Sequence, residues 1–465
     1  MPPRILETLA CFFAALLITP TEGNERTNVV LFVVDDLGWR DLSCQGSDYY
    51  KTPNIDQLAN NGVRFTQAYA AAAICSPTRA SILTGKYPAR LLLTQWLPAG
   101  RWDPLKNGKK EGRFLRSLPL EEFTLAEALR EADYRTIHLG KWHLGGAPFS
   151  LPEHHGFDVN VAGQDHGAPG SYFFPYEGSW KIPTTDLKVF KQTLPDGEPG
   201  EYLTDRLTDE ALKHIGEEPF FLYFPYYAVH TPLQAKPEKL ARYESIPEED
   251  RQGKPAYAAM VESVDDSVGR IVSRLREREL LDKTILILTS DNGGFAGATS
   301  NLPLRANKGS HYEGGIRIPL LISGPGIGKG VVSETPVITN DLYPTILELA
   351  GVAPEANLSH DGKSLTGLLS GKSGIEERPL FWHYPHYNQH PSSAPVSIVR
   401  RGDWKLIHFL ETDHEELYDL RNDPGEQNEI STLHPEAVSR LRSELNQWRE
   451  EVGAEPMLPN PRYQP

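Results

Sequence analysis

A single cysteine stands where a helix is predicted to begin. Ser76 is typical of a helix N-cap and Pro77 of a first helical residue. Cys75 directly precedes this start and Arg79 follows it, so backbone N–H groups and a cation would both favour negative charge at Cys75. The pattern favours an active-site nucleophile over the small buried hydrophobe that a free cysteine more often is. Both a thiolate with a histidine base and a chemically modified cysteine fit it.

Two apolar segments each end in a pair of side chains that offer oxygen ligands. Asp35 and Asp36 follow one segment, and Asp291 and Asn292 follow the other. Each pair alone is more typical of a turn or a helix cap. Continuous apolar segments of this kind predict buried parallel strands, whose carboxyl ends lie at one edge of a sheet. The two pairs together predict a site for Ca2+ or Mg2+ rather than zinc.

Further polar residues follow predicted strands. Lys141 and His143 come after one strand, His230 comes after another, and Lys308 lies in the glycine-containing segment 307–319. We expect these side chains to gather with the carboxylates at the same sheet edge. Considered separately, a solvated strand edge and an ordinary surface lysine are the default interpretations.

As a set, these motifs resemble the type I sulfatase family of the alkaline phosphatase superfamily. The resemblance runs from residue 28 to about residue 351 and returns over residues 404–423, and no catalytic position departs from the family pattern. The matching segments are 35–36, 75–85, 140–145, 228–232, 291–292, 307–319 and 416–424.

The resemblance implies a modified nucleophile and a metal ion. In the family the cysteine is oxidised by a maturation enzyme to formylglycine (3-oxoalanine), whose hydrate attacks the sulfur of a sulfate ester. The matching metal ligands are Asp35, Asp36, Asp291, Asn292 and an oxygen of the modified Cys75. We expect one Ca2+ there, with Mg2+ as the alternative.

The same resemblance implies roles for the remaining residues. Arg79, Lys141 and Lys308 would neutralise the anionic SO3 group. His230, assisted by Lys308, would protonate the leaving alcohol, a contribution of typically about 10²–10⁴-fold. His143 would help to deprotonate the second hydroxyl of the hydrate, which expels sulfate and regenerates the aldehyde. A serine or an unmodified cysteine could not perform this last step.

Strands and helices alternate along the chain, which predicts an α/β sandwich around a large, mainly parallel or mixed sheet. The resemblance implies the alkaline-phosphatase-like version of this fold. The strands are predicted at 28–34, 134–140, 220–224, 284–290 and 318–322, and the main helices at 124–132, 256–279 and 341–351. The predicted units are a signal peptide (1–23), a catalytic domain (24–353), a smaller C-terminal α+β subdomain (354–455) and a loose tail (456–465). That subdomain should hold antiparallel strands at 397–401 and 404–409 and a final helix at 435–452.

Composition restricts the setting and the partners. The net charge of −15 on 465 residues argues against a nucleic-acid partner. Arg4, an apolar stretch and a Thr-Pro-Thr-Glu-Gly segment have the layout of a secretory signal peptide, and no segment is long enough for a stable membrane anchor. We therefore expect a periplasmic or extracellular protein. Loss of Cys11 with the signal and oxidation of Cys75 would leave Cys44 without a disulfide partner.

The predicted function is hydrolysis of sulfate monoesters on carbohydrates, with exo action on galactose or N-acetylgalactosamine 4-sulfate as the specific hypothesis. Aromatic and histidine-rich segments at 163–167, 171–173 and 382–387 could contact a sugar or only pack as loops, and His166 and His383 are the candidate substrate-binding residues. Two alternatives stay open. One is a phosphonate monoester or phosphodiester hydrolase of the same superfamily, and the other is a non-catalytic carbohydrate-binding relative.

Overall fold

The computed structural model describes residues 26–97, 102–180, 188–190, 194, 196–216, 219–353 and 359–463. The predicted signal peptide and residue 354 lie outside these ranges. In chain order the strands are β1 Asn28–Val34, β2 Gly62–Tyr69, β3 Lys109–Lys110, β4 Arg135–Leu139, β5 Val159–Val161, β6 Gly178–Trp180, β7 Lys188–Phe190, β8 Phe220–Pro225, β9 Thr284–Ser290, β10 Arg317–Ser323, β11 Val331–Ser333, β12 Val337–Ile338, β13 Leu380–Tyr384, β14 Val396–Arg401, β15 Trp404–Phe409, β16 Glu415–Asp419 and β17 Leu458–Pro459. The helices are α1 Pro53–Asn60, α2 Cys75–Thr84, α3 Leu125–Glu131, α4 Leu203–His214, α5 Pro237–Glu244, α6 Pro255–Glu277, α7 Glu313–Ile316, α8 Leu342–Leu349, α9 Thr366–Leu369 and α10 Pro435–Glu451.

A nine-stranded mixed sheet forms the centre of the molecule. Its order is β11-β2-β10-β9-β1-β8-β4-β5, and β12 also pairs with β2. Strands β9, β1, β8 and β4 are mutually parallel, whereas β10 is antiparallel to both of its neighbours. Val34 pairs with Ser290, so β1 and β9 end level with each other. The predicted α/β class is confirmed, and four parallel strands end at the same edge of the sheet.

Helices cover both faces of this sheet, which explains why β1 is apolar throughout. Val30 and Phe32 pack with residues of α1, α4 and α6, while Val29 and Leu31 pack with residues of α2, α3 and α8. All seven residues of β1 are buried. Each such side chain contributes about 1.5–3 kcal/mol through burial. Within the described ranges, no helix combines the length and the apolar character needed to cross a bilayer.

The C-terminal part forms a four-stranded antiparallel sheet in the order β13-β14-β15-β16. The predicted hairpin is confirmed by β14 and β15, which pair from Val396 opposite Phe409 to Arg401 opposite Trp404. The predicted final helix is α10, which packs on the sheet with its Trp448 ring stacked on that of Phe381, at a centroid distance of 4.6 Å. A smaller α+β unit therefore follows the large sheet.

Two features differ from the sequence prediction. Leu365 and Leu369 belong to the core of the large sheet, so the antiparallel unit begins with β13 rather than near residue 354. The apolar residues around α9 are used to cover the large sheet. Residues 458–460 of the predicted loose tail are instead anchored, because β17 pairs with β3 and Asn460 donates to the carbonyls of Pro104 and Asn107. A polar, proline-rich composition gives no sign of a pairing partner so far away in sequence.

Candidate active site

Cys75 lies at the buried start of α2. The helix begins at Cys75 itself and Ile74 occupies the N-cap, so the predicted N-cap role of Ser76 is wrong. The Ser76 hydroxyl instead accepts the backbone N–H of Leu97, at 3.2 Å. Burial raises the pKa of the Cys75 thiol to about 11. A thiol with this pKa remains protonated at neutral pH, which argues against the thiolate nucleophile and is consistent with a modified cysteine.

The oxygen-bearing side chains meet where β1 and β9 end. The backbone N–H of Asp36 donates to Asp291 Oδ1 at 3.2 Å, and the side-chain amide of Asn292 donates to Asp36 Oδ1 at 2.9 Å. Asp36 has a φ of 61°, so the chain turns sharply as it leaves β1. Ligand atoms of Asp35, Cys75 and Asp291 lie within 4.8 Å of one another, and all three residues are buried. The structure thus brings the predicted ligands together.

Each of the three carboxylates is paired with a cation. Lys141 Nζ lies 2.7 Å from Asp35 Oδ2. Lys308 Nζ lies 2.6 and 2.8 Å from the two oxygens of Asp36. Arg79 Nη2 lies 2.8 Å from Asp291 Oδ2, and its Nη1 donates to the Lys141 carbonyl at 3.0 Å. The carboxylates and cations balance in formal charge, so an added divalent cation would leave the site positive and suited to an anion.

These pairs shift the protonation equilibria in different directions. Burial raises the pKa of Asp35 well above its usual value, and Lys141 only partly opposes this. Burial also acts on Asp36, but Lys308 and His230 hold the pKa of that carboxyl below its usual range. Although burial lowers the pKa of Lys308, Asp36 raises it above the ordinary lysine value. Lys308 is therefore a protonated group beside the cluster.

Two histidines flank the cluster in neutral form. His230 Nε2 lies 3.7 Å from Asp36 Oδ2, and its Nδ1 donates to the Thr231 carbonyl at 2.8 Å. Burial and Lys308 lower the pKa of His230 to about 3. Burial and Lys141 likewise lower the pKa of His143 well below its ordinary value. In this arrangement Lys308 Nζ lies closer to the Asp36 carboxylate than His230 Nε2 does.

Several supporting residues were not predicted as such from the sequence. The Tyr172 hydroxyl donates to the carbonyls of Tyr227 and His230, at 2.6 and 2.9 Å, and thereby holds the loop that carries His230. The Tyr257 hydroxyl donates to the carbonyl of Asp36 at 3.1 Å. Tyr172 falls within the predicted sugar-binding rim, but no local signal indicates a hydrogen bond to a loop so distant in sequence.

The two candidate substrate-binding histidines have different surroundings. His166 is 9% exposed and lies 2.9 Å from Asp165. It precedes Gly167, where a Cβ atom would lie 2.5 Å from the His143 ring, so this segment borders the site. His383 is buried in β13, with Nδ1 bonded to Ser397 at 2.5 Å and Nε2 donating to the Glu455 carbonyl at 2.9 Å. The predicted substrate contact of His383 is contradicted, because both ring nitrogens are committed to internal contacts.

The ligand set fits a hard divalent cation. Among the described residues, Asp35 Oδ1 and Asn292 Oδ1 are buried without a hydrogen-bond partner. Unpartnered buried oxygens are rare, and carboxylate and amide oxygens are the ligands that Ca2+ and Mg2+ prefer. Cys75 Sγ stands where the oxygen of a modified residue would complete the set.

Comparison with known proteins agrees with this geometry. The sulfatase family model matches residues 27–352, and the C-terminal model of N-sulphoglucosamine sulphohydrolase matches residues 306–451. A sulfatase of Formosa agariphila is 31% identical, over 92% of this chain and 90% of its own length. Human N-acetylgalactosamine-6-sulfatase is also 31% identical, over 93% of this chain and 87% of its own length.

A solved structure extends the likeness to three dimensions. Ps i-CgsB, crystallised in complex with k-i-k-neocarrahexaose, is 31% identical with a TM-score of 0.73, covering 91% of this chain and 93% of its own. Since the family model spans more than half of the sequence, including every residue of the buried cluster, the chain belongs to the type I sulfatase family of the alkaline phosphatase superfamily and is a sulfuric ester hydrolase.

Proposed function

We propose that this chain is an exported carbohydrate sulfatase that uses formylglycine at position 75 and one divalent cation, Ca2+ in the first instance. The observation that carries the proposal is the convergence of buried Arg79, Lys141 and Lys308 on a carboxylate cluster beside Cys75. Buried cations that are already oriented suit a charge-diffuse SO3 group, because they need little reorganisation when it binds. The proposed location, periplasmic or extracellular, rests on the secretory layout of residues 1–23.

The ligands would be Asp35, Asp36, Asp291, Asn292 and the modified residue 75. The bound cation would supply charge stabilisation for the sulfate oxygens. Oxidation at position 75 would be performed by a formylglycine-generating maturation enzyme. This proposal agrees with the raised pKa of the Cys75 thiol, which makes the unmodified residue a poor nucleophile near neutral pH.

The protein side chains would divide the remaining work. Lys141 and Arg79 would bind the sulfate oxygens. The ion pair of Lys141 with Asp35 and that of Arg79 with Asp291 hold the two cations in place. Lys308 Nζ, which lies beside Asp36 Oδ1, would donate the proton to the leaving alcohol oxygen. His230, whose Nε2 lies near Asp36 Oδ2, would orient that oxygen. His143 would accept the proton whose loss expels sulfate.

For the substrate we propose an exo action on galactose or N-acetylgalactosamine sulfate. The human relative is named for the 6-sulfate of N-acetylgalactosamine, and Ps i-CgsB was solved with k-i-k-neocarrahexaose. The first name supports an N-acetylgalactosamine-type sugar and the second a saccharide ligand, and the 4- and 6-positions stay as alternatives. The segment around His166 borders His143 and is the candidate for the sugar contact.

The test is sulfate release by the chain co-produced with a formylglycine-generating enzyme, with the aldehyde confirmed by mass. The panel holds galactose and N-acetylgalactosamine sulfated at position 4 or 6, matched phosphate and phosphonate monoesters, and a phosphodiester. Release of sulfate from one positional isomer supports the proposal and names the position. Faster release from the phosphorus esters would favour the superfamily alternative. Unchanged hydrolysis by a Cys75→Ala variant would refute the assignment of the nucleophile.

A further inference from the structure

The segment of residues 94–97, here called the strap, contacts the ring of His143 through its last residue. The carbonyl of Leu97 lies 2.6 Å from His143 Nε2. A carbonyl can only accept a hydrogen bond, so Nε2 must carry the proton. His143 Nδ1 is then left with its lone pair, and it is buried without a hydrogen-bond partner among the described residues. The strap thus determines which nitrogen of His143 is available for chemistry.

The strap itself is held at both ends. The backbone N–H of Leu97 donates to the Ser76 hydroxyl, the residue after the nucleophile, at 3.2 Å. Thr94 Oγ1 lies 2.7 Å from His386 Nε2, and the Tyr384 hydroxyl donates to Gln95 Oε1 at 3.1 Å. Tyr384 and His386 both belong to the aromatic and histidine-rich segment 382–387, for which the sequence left open a sugar contact or loop packing.

These contacts link the small antiparallel sheet to the catalytic histidine. His386, Tyr384 and Thr94 are all buried, so their hydrogen bonds are shielded from water. The His143 ring also lies against Gly167, and the backbone N–H of His143 donates to the Gln164 carbonyl at 3.0 Å. Among the described residues, only the strap contributes a hydrogen bond to a ring nitrogen of His143.

We propose that Thr94, Tyr384 and Ser76 are positioning residues that hold the strap and thereby fix His143 as the Nε2–H tautomer, with Nδ1 as the proton acceptor of the sulfate-expelling step. The inference rests on the proposed function for the identity of that step. In it, the second hydroxyl of the sulfated hydrate gives its proton to Nδ1, the bond from the hydrate carbon to the sulfated oxygen breaks, and sulfate leaves as the aldehyde re-forms. No oxidant or reductant is needed.

The inference predicts a specific kinetic defect. If the strap acts only on sulfate expulsion, a loosened strap slows the second half of turnover and leaves release of the alcohol intact. With 4-nitrophenyl sulfate, Thr94→Val and Tyr384→Phe should lower kcat by about 10- to 100-fold, since a misplacement of a catalytic group by about 1 Å can cost about 10²-fold. KM should fall in parallel, so that kcat/KM stays within about twofold of wild type. A rapid burst of nitrophenol equal to the enzyme concentration should precede the slow phase.

Three further measurements isolate the strap. Thr94→Ser keeps the hydroxyl and should restore the wild-type kcat. Thr412→Val is the matched control, because the Thr412 hydroxyl also contacts a histidine, His414 Nδ1 at 2.6 Å, but this pair is exposed and lies in the turn between β15 and β16. Hydrogen exchange followed by mass spectrometry should show faster exchange of peptides covering residues 94–97 in Thr94→Val and Tyr384→Phe, and no change in Thr412→Val. Exchange can be measured on the unconverted Cys75 protein as well.

Several outcomes would overturn the inference. Exchange at the strap that is unchanged in both variants would show that Thr94 and Tyr384 do not hold it. Equal losses in kcat and kcat/KM without a burst would place the effect on the first step. A defect that Thr94→Ser does not rescue would show that the hydroxyl is not responsible. If the wild-type protein releases no sulfate while the two strap variants still show faster exchange over residues 94–97, the proposed function is refuted. The role of Thr94 and Tyr384 in holding the strap is then still supported.

Discussion

Replacing Lys405 by methionine should destabilise the fold strongly, because this lysine is the cation that contacts two buried carboxylates. Lys405 Nζ lies 3.1 Å from Glu313 Oε1 and 2.8 Å from Glu426 Oε1, and all three side chains are inaccessible to solvent. Removing one partner of a buried ionic group typically costs about 3–5 kcal/mol, since the remaining charge has no compensation. We expect a loss of this size in the free energy of unfolding, measured by urea denaturation.

The loss should depend on pH in a direction that the structure specifies. Burial raises the pKa of Glu426 from 4.5 to about 7, even though Lys405 opposes the shift. A carboxyl whose pKa is higher in the folded state than in the unfolded state stabilises the fold at pH values below its unfolded-state pKa. This contribution disappears as the pH rises through its folded-state pKa. In Lys405→Met a proton on Glu426 can replace the lost cation, so the variant should lose less stability at about pH 5.5 than at about pH 8.

A double variant and a surface control make this prediction sharp. Lys405→Met combined with Glu426→Gln leaves one buried carboxylate, Glu313, which still accepts a hydrogen bond from Tyr69 at 2.7 Å. It should recover about half of the loss. Lys213→Met breaks only an exposed pair with Glu210 and should cost less than about 1 kcal/mol. A Lys405→Met variant within 1 kcal/mol of wild type at both pH values would refute the reasoning.

Three further predictions concern the site. Lys308→Ala should lower kcat/KM on a sugar sulfate by about 10²–10⁴-fold and much less on 4-nitrophenyl sulfate, whose leaving group needs no proton; equal losses on both would exclude proton donation. Prolonged treatment with EDTA should abolish sulfate release, and added Ca2+ should restore it and raise the thermal midpoint with concentration; full activity after chelation would exclude the cation. Tyr172→Phe removes two hydrogen bonds to the His230 loop and should lower kcat/KM by about fivefold or more, with a loss of about 1–3 kcal/mol in the free energy of unfolding. An unaltered kcat/KM would show that the loop is held by other contacts.

The elements that position the site were predictable because their signals are local. Continuous apolar runs produced β1 and β9 with the predicted bounds, and the oxygen ligands follow them directly. Thr124 forms the predicted helix start with a full capping box on Glu127. Contacts between segments that are far apart in the chain leave no comparable local pattern in the sequence. The pairing of β17 with β3 and the internal bonds of His383 both depend on partners that only the fold brings near.

Charged residues show the same limit most clearly. Lys405 stands in an ordinary amphipathic strand pattern, and a lysine is by default a surface residue. The structure buries it completely between two glutamates, one from the segment that also carries Lys308 and one from beyond β16. The ion cluster thus joins the small sheet to the loop that carries Lys308, and no local sequence pattern indicates this connection.

Asp35 and Asp36 are adjacent in sequence, yet their protonation equilibria are displaced in opposite directions. Burial dominates at Asp35 and raises its pKa, whereas Lys308 and His230 overcome burial at Asp36 and lower it. The difference arises because the chain turns at the positive φ of Asp36, which directs that carboxylate toward a lysine 272 residues further along the chain. The sequence motif therefore identifies the candidate ligands, while the protonation equilibrium of each one is determined by contacts between loops that no local pattern encodes.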